Sequence, residues 1–335
     1  MKSRKIAAFE VSALGFGSMN LSHAYGVPPS PEVARKLLLR ALNLGVTMFD
    51  TAALYGFGAN ETLIGQVLGS QRLKFILASK GGMAGVQSPD GMKRVIDGRP
   101  EAIRRNCEDS LKRLQTDVID LYYLHRRDKK VPLEDSVGAL ADLVRAGKVR
   151  AIGLSEVSAA TLERAHAVHP IAAVQNEYSL WSRNVEIGVL EACRSLGVAL
   201  VAFSPLARAF LTGTLRDTSG FDAKDIRRAM PRFQPENFAA NLKLLDGYTA
   251  LADEAGCTPA QLALAWLLAK SESIVPIPGT TRVEHLEENL GALDVTLSPQ
   301  VVARLDALIN TRTVAGPRYA ASTQLEIDTE EFDAA

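Results

Sequence analysis

Short apolar runs alternate with longer helical stretches from one end of the chain to the other, and eight such pairs can be counted, the pattern of repeated parallel βα units. Strands are expected at Leu14–Ser18, Val46–Asp50, Phe75–Lys80, Ile119–His125, Val149–Ser155, Val174–Tyr178, Leu200–Ser204 and Ile274–Ile277. Most lack polar alternation, as expected where both faces of a sheet are covered. Helix signals fall between them. Ser30 offers an N-cap, Pro31 a first helical position and Gly45 a stop, with Val33, Leu37, Leu38, Ala41 and Leu44 at helical spacing. Similar punctuation places Asn60 before Glu61–Leu68, Pro132 before a helix stopping at Gly147, Ser158 before Thr161–Val168, and Gly197 after Val185–Leu196. Thr258 and Pro259 open Ala260–Lys270, apolar nearly all round and expected to be buried.

A doubly wound sheet also repeats βα units, but it usually carries a glycine-rich first turn. Here Gly15 and Gly17 are followed by Asn20, and Gly56 and Gly58 by Glu61, where a third glycine is needed. Eight regular units therefore predict a closed (β/α)8 TIM barrel, one domain over residues 1–335, with its site at the C-terminal ends of the strands. Two segments break the rhythm, Gly81–Arg99 and Pro205–Pro235. Both follow strand ends and are expected to be long loops rimming the mouth.

Composition narrows the function. The 38 basic and 38 acidic side chains cancel, so no net field gathers nucleic acid or an anionic membrane, and any anion site must be local. Cys107, Cys193 and Cys257 are widely spaced and read as free thiols. Charges at Lys2, Arg4, Lys5 and Glu10 interrupt any signal-peptide core, and no stretch is long enough to span a bilayer. A cytoplasmic protein is expected, with a monomer or a homo-oligomer both open.

Ionisable residues at the ends of apolar strands mark the chemistry. Asp50, Lys80 and His125 each end such a strand, and Tyr55 lies in the loop after Asp50. A phenol is a poor acid near neutrality, but an adjacent ammonium draws its pKa toward the working range. Lys80 can supply that charge, Asp50 can pair with Lys80, and His125 can donate to a substrate carbonyl oxygen. Singly, each is more often structural. Four complementary groups at the ends of three strands are not.

The stretch Phe49 to Gly56, followed by Glu61, resembles the aldo-keto reductase motif that supplies the Asp and the Tyr, and Ala78–Lys80 and Tyr123–His125 resemble those of the matching Lys and His. The resemblance runs from Leu14–Gly17 to Gly316–Tyr319. It implies NADPH-dependent reduction of an aldehyde or ketone, with Tyr55 as general acid and NADPH/NADP+ extended across the barrel mouth. It also places Ser155 and Gln175, with Asp50 nearby, at the nicotinamide carboxamide, Phe203 stacked on the ring, and Gly17, Ser18 and Met19 beneath it. Ser204, Leu206 and Arg208 would begin a belt over the pyrophosphate. Gly279, Thr280, Thr281 and Arg282, with Glu288 and Asn289, would hold the adenosine end. Thr hydroxyls, amides near a helix start and a guanidinium form a chemically sensible 2′-phosphate socket. Three positions depart from the family pattern: Glu156 stands where an Asn is common, and Ala207 and Ala209 where glycines are.

Substrate walls are expected from Tyr25, Phe57, Met83 and Trp181 and from the C-terminal segment near Tyr319, favouring a hydrophobic or aryl carbonyl over a free sugar. Trp181 could equally pack a loop. His166 and His169 lack a third ligand, so both are expected to be solvent-exposed and no metal is expected. The acidic end, Glu326, Asp328, Glu330, Glu331 and Asp333, reads as a solvated tail. Two other functions compete: a nucleotide-binding regulatory subunit of the channel β-subunit type, disfavoured by the missing N-terminal channel-blocking extension, and a Schiff-base aldolase using Lys80.

Overall fold

The computed structural model describes residues 1–22, 24–89 and 91–332. Twelve strands run in chain order as β1 (Ser3–Ile6), β2 (Phe9–Ser12), β3 (Phe16–Gly17), β4 (Met48–Asp50), β5 (Ile76–Gly81), β6 (Met83–Ser88), β7 (Gly91–Ile96), β8 (Ile119–Leu124), β9 (Val149–Ser155), β10 (Ile171–Glu177), β11 (Ala199–Phe203) and β12 (Ile274–Pro276). The helices are α1 (Pro31–Asn43), α2 (Ala59–Leu68), α3 (Pro100–Leu114), α4 (Leu133–Arg145), α5 (Ala159–Val168), α6 (Val189–Leu196), α7 (Pro235–Leu242), α8 (Leu244–Glu254), α9 (Pro259–Lys270), α10 (Val283–Gly291), α11 (Pro299–Leu308) and α12 (Ala321–Gln324).

Eight of the strands form one parallel sheet in the order β3, β4, β5, β8, β9, β10, β11, β12. It closes on itself where Gly15 N donates to Pro276 O at 2.9 Å and Gly17 N to Pro278 O at 3.2 Å. The barrel expected from the pattern is therefore present, with each expected strand overlapping an observed one.

The sequence signals act locally as their chemistry requires. Ser30 Oγ accepts from Val33 N to cap α1, and Thr258 and Gln261 form a reciprocal capping box on α9. Leu262, Leu264, Trp266 and Leu267 of α9 are buried. Asn60, however, is not a cap: α2 starts at Ala59 on a left-handed Gly58, and the Asn60 side chain turns inward instead. The Gly81–Arg99 segment is not a plain loop either. It folds as the antiparallel hairpin β6–β7, and Pro205–Pro235 contains short helical turns at Phe210–Thr212, Ile226–Ala229 and Pro231–Phe233.

The hairpin β1–β2 was not expected. Its Ile6 and Val11 join Met48, Leu121, Tyr123 and Val201 in the barrel interior. Arg4 fastens it beside the start of β12, donating to the carbonyls of Ser271 and Leu268 at 2.7 Å each. The plug closes the N-terminal end, and the C-terminal ends of the strands form the mouth. Between strands and helices lies a larger apolar layer that includes Phe49, Leu77, Ile152, Leu200 and Leu267.

Candidate active site

Asp50 is the last residue of β4, and Lys80 the last but one of β5. Parallel pairing sets Asp50 opposite Ala78 and Lys80 opposite Tyr123. The chain then turns through Tyr55–Gly58, with Gly56, Phe57 and Gly58 all at positive φ. That turn sends the Tyr55 ring back over the strand ends. His125 follows β8 directly, its amide donating to Gly81 O at 2.8 Å.

These side chains meet. Lys80 Nζ donates to Asp50 Oδ1 at 2.5 Å, to Thr51 O at 2.9 Å and to Tyr55 Oη at 3.0 Å. The His125 ring stands edge-on to Tyr55, with centroids 5.9 Å apart and planes at 83°. Lys80 is fully buried, and Asp50, Tyr55 and His125 nearly so.

Burial works against charge on each group, and the partners oppose it. For Lys80, burial lowers the pKa, but Asp50 and then Tyr55 outweigh it, so the ammonium is favoured above its ordinary range. For Tyr55, burial pushes the phenol above its ordinary value, with the Lys80 ammonium pulling it back and Asp50 adding to the rise. The net direction differs from the lowering that an adjacent ammonium alone would produce. Such a phenol keeps its proton at neutral pH and can give it up only to a base formed beside it.

Two further buried groups brace this set. The Asn60 Oδ1 accepts from Ser18 Oγ at 2.6 Å and Thr51 Oγ1 at 2.7 Å, while its amide donates to Ser18 O and Ser22 Oγ at 2.9 Å each. It thereby ties the loop after β3 to Thr51, whose carbonyl accepts from Lys80. Glu61 accepts from Arg113 Nε at 2.7 Å and, at 2.5 Å, from Oγ of Ser79, the residue before Lys80 on β5.

A profile of the Aldo/keto reductase family matches residues 13–310. The chain belongs to that family. Over 312 residues it is 46% identical to the probable aldo-keto reductase 1 of Glycine max, covering 93% of this chain and 89% of that protein. It is 44% identical over 334 residues to the aldo-keto reductase yakc of Schizosaccharomyces pombe, whose name carries the designation NADP(+), covering 98% and 97% of the two. The solved glycerol dehydrogenase of Gluconobacter oxydans superposes with a TM-score of 0.85 at 28% identity, over 94% of this chain and 97% of that one. As an aldo/keto reductase the protein is an oxidoreductase of carbonyl chemistry on an α/β barrel.

In this aldo/keto reductase several of the residues expected at the cofactor, and Glu156 beside them, have partners within the protein. Gln175 Nε2 donates to Asp50 Oδ2 at 2.8 Å, so it steadies the ion pair. Glu156 accepts from Arg318 at 2.5 Å and from Glu177 N at 3.0 Å, so its carboxylate is committed to the protein. Arg208 points to Glu177 at 2.8 Å, Tyr319 Oη at 3.0 Å and Tyr25 Oη at 3.2 Å. Thr280 Oγ1 accepts from Arg282 N at 3.1 Å at the start of α10, leaving the Arg282 side chain largely exposed, with Glu284 3.6 Å away. Among the remaining adenosine-end positions, Asn289 is buried in α10, and Glu288 O accepts from Gln261 Nε2 at 3.0 Å.

Three expectations are corrected. Trp181 packs a loop: it is buried, stacked on Phe210 at 4.2 Å and edge-on to Phe233. The acidic end is tied down, because Asp328 accepts from Arg127 at 2.8 Å and Thr161 Oγ1 at 2.5 Å, and Glu330 accepts from Ala159 N at 2.7 Å, all about the N-terminus of α5. Asp333 lies outside the described residues. His166 is half-buried rather than solvated, its Nδ1 accepting from Ile171 N at 3.2 Å. No group of three metal-ligating side chains occurs among the described residues.

Sequence reading missed Glu177, the end of β10, as a centre of charge. Arg208 and Arg318 pair with it at 2.8 and 3.0 Å, and Ser182 Oγ donates to it at 2.9 Å. An acid ending an apolar strand, as Asp50 does, was the available signal.

Proposed function

We propose that the protein reduces an aldehyde or ketone to the alcohol with NADPH, with Tyr55 as proton donor. The observation that carries this reading is the buried chain Asp50–Lys80–Tyr55, with Lys80 Nζ 3.0 Å from the phenol oxygen. The cofactor, when bound, supplies hydride to the carbonyl carbon. As negative charge grows on the carbonyl oxygen, Tyr55 Oη passes its proton there, and the Lys80 ammonium offsets the phenolate left behind. His125, edge-on to Tyr55, donates a hydrogen bond to the same oxygen. Asp50 holds Lys80 charged and in place.

The residues present fit an extended dinucleotide. A Cβ on Gly17 would fall 2.7 Å from Ile277 O, and one on Gly279 2.8 Å from Gly17 O, so bare backbone lets the ends of β3 and β12 meet as a flat floor. Phe203 ends β11 half-buried, and Arg318 lies 5.9 Å from its ring centroid, fitting that ring to stack on the nicotinamide with its other face. Ser155 ends β9, where it would hold the carboxamide, with Ser18 and Met19 in the loop after β3. Ser204 and Leu206 begin the belt. Thr280, Thr281 and Arg282 offer the socket for the 2′-phosphate at the start of α10. Met83 and Leu54, with Met19 and Ile96, form an apolar wall around Tyr55.

Replacing Tyr55 by Phe removes the transferable proton with little change of volume. Turnover with NADPH and a carbonyl is expected to fall by about a hundredfold or more, while NADPH binding followed by fluorescence persists. Turnover near that of the wild type would refute the role of Tyr55. Borohydride trapping of a substrate on Lys80 would favour the Schiff-base chemistry instead.

A further inference from the structure

The run His125, Arg126, Arg127, Asp128, Lys129, Lys130 leaves β8 at the mouth. Its members have different partners. Arg127 pairs with Asp328, Lys129 donates to the carbonyls of Leu325 and Ile327, and Asp128 accepts from the amides of Gly98 and Lys130. Arg126, next to His125 of the active site, turns toward the strand ends: its Nη1 donates to His125 O at 2.6 Å and to Ser155 Oγ at 3.2 Å. Among the described residues no carboxylate lies within ion-pairing distance of it, and its Nε and Nη2 have no hydrogen-bond acceptor.

The mouth carboxylates are already taken. Asp50 is held by Lys80, Glu156 by Arg318, and Glu177 by Arg208 and Arg318. At the position after Ser155, then, the family's usual neutral amide is replaced by an acid that is spent on Arg318 and on the Glu177 amide. A half-buried guanidinium is left over beside Ser155, near enough that its charge acts on the Tyr55 phenol. A cation with two unused donors in a partly desolvated mouth is built to receive an oxyanion in bidentate fashion. Clustered with Tyr55 are the apolar side chains of its neighbour Leu54 and, from other elements, of Met83, Met19 and Ile96.

Resting on the carbonyl-reduction reading above, we infer that the substrate is an anionic carbonyl compound, with an apolar body against Met83 and Leu54 and a carboxylate or similar oxyanion gripped by Arg126. Arg126 is a specificity-determining residue for that anion. The alternative, that its spare donors grip the neutral carboxamide of the cofactor, predicts a different readout.

The test compares the three carboxybenzaldehyde isomers with their methyl esters in wild type, Arg126→Met and Arg126→Lys, by NADPH oxidation. Wild type is expected to favour at least one acid over its ester in kcat/KM by about tenfold to a hundredfold, the range set by one charge-assisted contact. Arg126→Met should bring that ratio close to one, and Arg126→Lys should keep part of it. Benzoate should also bind the NADP+ complex of the wild type in calorimetry, and bind about tenfold or more weakly to that of Arg126→Met. Equal kcat/KM for acids and esters in wild type, or a ratio unmoved by Arg126→Met, would overturn the assignment while leaving carbonyl reduction standing. A loss of NADPH affinity in Arg126→Met as large as the change in ratio would assign the guanidinium to the carboxamide and also overturn it. Absence of NADPH oxidation with every aldehyde would overturn the underlying reading itself.

Discussion

Ala207, Arg208 and Ala209 stand consecutively at φ of 49°, 57° and 75°, a left-handed run that residues with a Cβ adopt at a cost of about 1–2 kcal/mol each. Two of these positions are the ones where glycines are usual in the family's belt. What holds Arg208 there is its side chain, anchored on Glu177, Tyr319 and Tyr25. Ala209 has no such anchor. Ala209→Gly is therefore expected to stabilise the protein by about 0.5–1 kcal/mol, the relief of strain exceeding the added entropy of the unfolded chain. Urea unfolding checks this, and a destabilised variant would show that the turn is not strained.

Helix α10 begins after Thr280 and Arg282 with no side-chain cap from Arg282, and its positive end would face the proposed 2′-phosphate. Because the Arg282 side chain is largely exposed and only loosely paired with Glu284, it is available to a ligand. Wild type is expected to bind NADPH more tightly than NADH by about tenfold to a hundredfold, and Arg282→Ala to lose most of that preference. Titration of both cofactors into both proteins decides it; equal affinities in wild type would remove the socket. The opposite design appears at α5, whose N-terminus receives Asp328 and Glu330 of the chain's own end. One helix start is filled by the protein, and the other would receive the phosphate of the proposed cofactor.

Across the whole molecule, Glu177 joins β10 to the segment after β11 through Arg208 and to the C-terminal segment through Arg318. Burial alone would raise its pKa, but Arg208 and Arg318, with Arg232 nearby, hold it well below the ordinary carboxylate range. A carboxyl more acidic in the folded state contributes stability that is complete above its unfolded pKa of about 4.3 and is lost as pH falls toward the folded value. The unfolding free energy of wild type should exceed that of Glu177→Gln by about 3 kcal/mol or more near neutrality, since the variant strands buried cations. The gap should narrow progressively as pH falls below about 4, and a gap independent of pH would show that Glu177 is not linked to folding.

The chain by itself determined the eight βα units, because period and punctuation are local properties: Ser30 caps α1 and Thr258 caps α9 wherever the rest of the chain goes. It also displayed Asp50, Lys80 and His125, since an ionisable residue ending an apolar strand is visible without knowing its neighbours. Only the tertiary structure decided which partner each polar group takes, because those partners are distant in sequence. Gln175 reaches Asp50 across 125 positions and Arg318 reaches Glu156 across 162, and no local pattern records either contact. The same holds for the N-terminal hairpin, whose Ile6 and Val11 read as unremarkable until the barrel supplies an interior for them to fill. It holds also for Arg126, one basic residue in a polar run until folding assigns its neighbours to other partners and leaves it facing the mouth.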